Sequence, residues 1–175
     1  MCDLLIRRFR ERILREPTVD YSQLPPIRPR PPVTAERLAR AEARLGFPLP
    51  PLLRGLYTQV GDGGYGPGRG LFHLIGGDWS LVAHAEETCL SIREDEVDPW
   101  WPPRLVEILN WGGHDTSAVD CSGPPYPVFL YNSAKTDGDA PREDYIEPQA
   151  DSLEDWLSAW LDGEDLWEQY AKRSG

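Results

Sequence analysis

Three cysteines, three histidines and a single methionine are all that this 175-residue chain carries of the sulfur and imidazole side chains. Cys2, Cys89 and Cys121 are odd in number, widely spaced and without any C-x-x-C pair. That pattern argues against both a disulfide framework and a structural zinc site. No two of His73, His84 and His114 stand at a ligand spacing such as H-x-x-x-H. No apolar run approaches the ~18 residues that a membrane span needs. The opening segment MCDLLIRRFRERILRE is basic and amphipathic but lacks the apolar core and small-residue cleavage site of a secretory signal. Internal repeats are also missing. These absences lead us to expect a cytoplasmic protein without membrane segment, metal or other cofactor.

Proline, glycine, tryptophan and acid are plentiful. The 18 Pro and 16 Gly imply many loops, while seven Trp, seven Tyr and an apolar content of 40% favour a packed globule over a disordered chain. A chain of this length makes one domain and buries roughly two thirds of the surface it exposes when unfolded. The net charge of −11 is unevenly spread. Met1 to Arg54 holds eleven Arg and no Lys against six acids, whereas Gly55 to Gly175 holds seven bases against 23 acids. An acidic body repels nucleic-acid phosphates and steers a basic protein toward it, although acids also serve plain solubility.

The stretch from Thr34 to Gly70 frames the rest. Thr34 is placed to cap a helix that turns Leu38, Ala41 and Leu45 inward and ends at Gly46. Pro50 or Pro51 starts a second helix with Leu52, Leu53, Leu56, Tyr57 and Val60 on one face, ending at Gly61. The loop GDGGYGPGRG that follows invites comparison with a phosphate cradle. It has no G-K-[ST], however, and follows a helix and precedes a strand, the reverse of a nucleotide-binding loop. Tight reversal with Tyr65 at the tip is the better reading.

Upstream, Leu4, Leu5, Ile6, Phe9, Ile13 and Leu14 fall on one side of a helix capped by Asp3, with five arginines largely on the other. We expect this helix to dock on the domain; a membrane-surface helix and a partner-binding helix are the alternatives. The strap SQLPPIRPRPPV, Ser22 to Val33, reads as an extended spacer, although Pro26 and Pro29 have P-x-x-P spacing. Downstream, LFHLI (Leu71–Ile75) is a strand candidate, and Ser80 caps a helix to about Arg93 that buries Cys89. In EDEVDPWWPP, four acids precede two tryptophans. Either both rings pack under the loop or one stays out as an interface anchor. LVEILNW, SAVDC and PVFLY suit strands of an antiparallel meander. Asn132 to Pro148 reads as loop. A capping box at Asp151 and Glu154 opens a helix with Leu153, Trp156, Leu157, Trp160 and Leu161 on one face, and a short helix with Leu166, Trp167 and Tyr170 closes the chain.

Chemistry is thin in this sequence. WGGHDTS gathers an imidazole, a carboxylate and two hydroxyls, but adjacent His114 and Asp115 point in different directions, and a turn between strands explains the same residues. Metal-assisted hydrolysis by His114 with Asp62, Asp115 or Asp120 has no motif behind it.

The succession of helix, Leu49-Pro50, second helix ending in GDGG, strand, Trp-Pro segment, LVEILNWGG, a strand carrying Asp120, PVFLY and a closing SLEDWL helix resembles the SUKH superfamily, in its cell-wall-synthesis-regulator type. The likeness runs from about Thr34 to Leu161. It implies a single α+β domain, an antiparallel-rich sheet of about four to six strands flanked by helices. Residues 34–175 would form that domain, and residues 1–33 an extension of helix and Pro-rich strap. It also implies non-enzymatic protein binding, as in immunity proteins that neutralise a cognate toxin, often a nuclease, or in hub proteins of wall-stress signalling. The Arg-rich helix, the strap and GDGG in place of an Asn-Gly turn depart from the common pattern. The expected partner is a basic toxin domain, with no nucleic acid and no membrane, bound by a monomer or weak dimer. Asp62, Tyr65, Glu94, Asp95, Glu96, Asp98, Trp100, Trp101, His114 and Asp115 are the expected contact surface. A scaffold docking partners through residues 1–33 and a hydrolase at His114 and Asp115 are the alternatives.

Overall fold

The structure, a computed structural model, describes residues 2–15, 29–77, 79–94, 101–133 and 145–173, with the backbone alone at 89–94 and 171–173. Six helices, α1 (Cys2–Arg15), α2 (Ala35–Leu45), α3 (Pro51–Gln59), α4 (Leu81–Glu94), α5 (Leu153–Leu161) and α6 (Leu166–Arg173), accompany four strands. The strands β1 (Leu105–Gly112), β2 (Asp115–Asp120), β3 (Val128–Asn132) and β4 (Ile146–Ala150) form one antiparallel meander in chain order. This is an α+β architecture with the sheet at the low end of the expected size.

Local chemistry explains the helix ends. The Thr34 hydroxyl accepts from Arg37 N, and Gly46, at φ 83°, closes α2 by donating its N–H to Glu42 O. Pro51 opens α3 where its missing N–H costs nothing. Ser80 Oγ accepts from Ala83 N at the head of α4. At α5 the cap is Ser152, whose hydroxyl accepts from Asp155 N, one residue later than the capping box read at Asp151 and Glu154.

Pleating divides the sheet's side chains between two clusters. Val106, Ile108, Val119 and Val128 join the main core beneath α1, α3 and α5, while Leu105 and Ala118 pack with Trp101, Phe129, Tyr131 and Ile146 on the other side. Helix α1 belongs to the main core. Leu5, Ile6 and Phe9 are buried in it, and Arg8 and Arg12 reach across to Ser158, Asp162 and the Trp160 carbonyl of α5. The docked position of the sequence reading holds, with a narrower apolar face. Leu4 and Leu14, read as part of that face, are 51% and 88% exposed.

Two segments depart from the sequence reading. Leu71–Ile75 is not a strand: it makes isolated bridges, Leu71 to Leu109 and His73 to Ser80, because its polar groups are divided among the glycine loop, β1, α3 and the head of α4. Leu71 N donates to Tyr65 O, and Leu71 O accepts from Gly64 N. The rest of the segment bonds elsewhere, Phe72 N donating to Ile108 O of β1 and the carbonyls of His73 and Leu74 accepting from the head of α4. Conversely, Ile146–Ala150, read partly as loop, pairs with β3. Of the Pro-rich strap, residues 22–28 lie outside the described residues. Its end is anchored, with Arg30 O accepting from Asp62 N and Val33 N donating to Tyr57 O. The side chain of Cys89 lies outside the described residues as well. Among the described residues, no helix is long and apolar enough to cross a membrane.

Cys121 gives a direct check on the core. Burial, then the neighbouring Asp120 carboxylate, push its thiol up to about 12, so almost no thiolate exists at neutral pH. With iodoacetamide at pH 8, peptide mapping should find Cys121 unmodified in the native protein and alkylated in denaturant. Equal labelling in both states would contradict its placement.

Candidate functional site

The glycine loop, residues 61–70, is buried except at the half-buried Gly68 and Arg69, and it is held from inside. Asp62 is 2% exposed, with Oδ1 accepting from Leu74 N at 2.7 Å and Oδ2 3.5 Å from the Arg37 guanidinium. Tyr65 is fully buried, its ring edge-on to Phe9 at 5.9 Å and its hydroxyl donating to Gly61 O. Burial pushes the Tyr65 phenol well above its ordinary range, with Tyr57 and Asp62 adding to the effect. Both residues therefore shape the loop from below. The reason is the reversal itself, which turns Tyr65 inward where the sequence reading had it at an exposed tip.

The remaining expected contact residues separate. Trp101 is buried under the far side of the sheet, where Nε1 donates to Leu105 O and the ring meets Tyr131 edge-on at 4.8 Å. Glu94 ends α4, and its side chain lies outside the described residues, as do Asp95, Glu96, Asp98 and Trp100 entirely. His114 lies in the β1–β2 turn and Asp115 begins β2. Asp115 Oδ1 accepts from Asn132 Nδ2 at 2.9 Å, and His114 Nδ1 lies 3.3 Å from Ser133 Oγ, so the carboxylate does not orient the imidazole. Asp120 stands at the opposite end of β2. Among the described residues, no group of three or more His, Cys, Asp or Glu is assembled as a metal cluster.

Two recesses border the glycine loop, and the sequence reading singled out neither. The larger, about 500 Å³, is lined by Pro67 and Gly68 of the loop, Trp111 of β1, Trp160 of α5, the turn Gly163–Asp165, Leu166 and Trp167 of α6, and Arg12 of α1. Its aromatic wall is firmly built. Trp111 Nε1 donates to Ser117 Oγ at 2.8 Å, and that buried hydroxyl donates in turn to Gln149 Oε1 at 2.6 Å, tying the ring to β2 and β4. Trp111 meets Trp167 at 5.5 Å and Trp156 at 6.4 Å. The loop is pressed against this wall, since a Cβ on Gly68 would come within 2.9 Å of Asn110 O and 3.0 Å of the Trp111 ring. On the floor, the Arg12 guanidinium lies 3.9 Å from the centre of the Trp160 ring.

The smaller recess, about 220 Å³, is bordered by Arg69, Phe72, His73, Asn110, Gly113 and Trp79. Trp79 is 70% exposed and lies 5.5 Å from His84, which stacks on Phe72 at 4.4 Å. An exposed indole supported by a stacked pair is a good contact anchor. No periodicity marks Trp79 in the sequence, where it follows a Gly-Gly turn.

Around the larger recess acids outnumber bases, although Arg12 lines it and Arg8 pairs with Asp162. Asp151 to Tyr170 contains seven acids and no base. Asp162, Glu164, Asp165 and Glu168 are exposed there. This run was the available sequence signal: three tryptophans, at 156, 160 and 167, in an acidic segment. The recess thus sets tryptophan faces beside exposed carboxylates.

In comparisons with known proteins, the family model described as SMI1 / KNR4 family (SUKH-1) matches residues 32–159. No curated protein matches the chain.

Proposed function

Because the chain belongs to the SMI1/KNR4 family (SUKH-1), we propose that it is a non-enzymatic protein-binding domain of the immunity type, which neutralises a basic, nuclease-like toxin by binding it. The family match over residues 32–159 carries this reading. The strong acidity from Gly55 onward supports the sign of the partner's charge, since opposite charge speeds encounter and excludes wrong partners. The contact surface is the face around Gly68 and Arg69, with Trp79, His114, Asp115 and the Trp167 cleft. The acidic segment Glu94 to Asp98 and Trp100 join it on their sequence alone.

The scaffold reading, with residues 1–33 as a capture arm, has less support because the apolar face of α1 is committed to the core. Co-expression with toxins encoded beside the gene tests the immunity reading. The expected result is rescue of growth and a stable complex. Neither rescue nor complex with any neighbouring toxin would sink it.

A further inference from the structure

The cleft between the glycine loop and α6 has a chemistry more specific than a general acidic face. Trp111 and Trp167 present two indoles 5.5 Å apart and tilted by 41°. Glu164 and Asp165 stand at the mouth. Indole faces carry the negative end of a quadrupole, so rings and carboxylates together attract a cation and repel an anion. A planar guanidinium suits this wall better than an ammonium, because it can stack on a ring while pairing with a carboxylate. The protein already uses the motif internally, with Arg12 lying over Trp160 in the same cleft. The single charge of Arg12 is outnumbered by Glu164 and Asp165, and its guanidinium donates to the Trp160 carbonyl. The cleft therefore remains favourable to a second cation.

We propose that this cleft receives an arginine side chain from the surface of the partner protein, stacked on Trp111 and Trp167 and paired with Glu164 or Asp165. The assignment rests on the reading that the partner is a basic protein, and it names the point of contact. Trp111 is fixed from behind by Ser117, so the wall is preformed and little ordering cost falls on binding.

The test is a titration of the full chain with a tetra-arginine peptide, acetylated and amidated at its ends, following the indole Nε1–H signals by NMR. A tetra-glutamate peptide with the same blocked ends is the opposite-charge control. A saturable shift is expected with the arginine peptide and none with the glutamate peptide. Trp167→Ala should weaken binding about three- to tenfold, in line with the loss of one cation–π contact. The double variant Glu164→Gln with Asp165→Asn should weaken it comparably. The Asp165→Asn change leaves an oxygen to cap Glu168 N, so it separates charge from folding. A melting curve matching that of the parent confirms that each variant is folded, and Leu14→Ala, at an exposed position of α1 outside the contact surface, should leave the titration unchanged.

No saturable shift, an equal response to the glutamate peptide, or unaltered binding in both cleft variants would overturn the assignment. The two readings fail separately. A toxin that binds both cleft variants at full affinity removes the cleft and leaves the immunity reading standing. If no toxin binds, the immunity reading falls, and the peptide titration still decides the cleft.

Discussion

Replacing Gly63 with alanine is expected to lower folding stability by about 3–5 kcal/mol, combining a left-handed backbone strain of about 1–3 kcal/mol with overpacking of similar size. Gly63 sits at φ 69°, and a Cβ there would come within 2.6 Å of Phe72 O and 2.7 Å of Leu71 O. Those are backbone atoms and cannot swing aside as a side chain could. The carbonyl of Leu71 accepts from Gly64 N, and that of Phe72 accepts from the Tyr57 hydroxyl at 2.8 Å, so relief at Gly63 breaks buried hydrogen bonds. Gly77 supplies the control. It has a comparable φ of 83° with no atom within 4 Å, so Gly77→Ala should cost only the backbone strain, about 1 kcal/mol. Urea denaturation of both variants is the measurement. Equal midpoints for Gly63→Ala and Gly77→Ala would show that the close approach at Gly63 is not real.

Phe9→Ala should cost about 3–5 kcal/mol, the usual range for removing a buried phenylalanine. The ring is fully buried, edge-on to Tyr65 at 5.9 Å and stacked on Trp160 at 5.3 Å. Its loss opens a cavity that joins three elements, α1, the glycine loop and α5, none of which can collapse into it without moving the others. Leu14→Ala on the same helix, at a position 88% exposed, should stay within about 0.5 kcal/mol of the parent. Denaturation midpoints that do not separate the two variants would place α1 outside the core. The result also governs how truncations are read. Deleting residues 1–33 removes Leu5, Ile6 and Phe9 from the core, so lost partner capture in such a variant reflects unfolding as much as a missing arm.

Where local chemistry decides structure, the sequence was readable. Thr34 and Gly46 bracket α2, Pro51 opens α3, and the meander strands lie where Gly-rich and Pro-rich turns separate apolar runs. Where the outcome depended on distant partners, it was not. LFHLI has a strand's composition, but its hydrogen bonds are divided among the glycine loop, β1, α3 and the head of α4. Ile146–Ala150 contains Pro148, which argues against an interior strand. The segment pairs as the last strand of the meander, where the outer side needs no donor. The candidate site shows the same division. Acidity and tryptophan were visible as composition. The cleft itself needs β1, α5, α6, α1 and the loop to converge, and no local pattern records that convergence.

The stacking of Phe9 on Trp160 also sets an order of events during synthesis on the ribosome. Helix α1 is made before α5, yet one wall of its niche belongs to that segment, some 150 residues later, as the Arg8 to Asp162 pairing over 154 positions also shows. The tight β1–β2 hairpin can form early, whereas the niche of Phe9 stays incomplete until α5 is made. Until residues 153–161 emerge, α1 is held only by earlier elements such as α3, where Ile6 meets Gly55, and the Phe9 ring keeps one face open to whatever the growing chain meets.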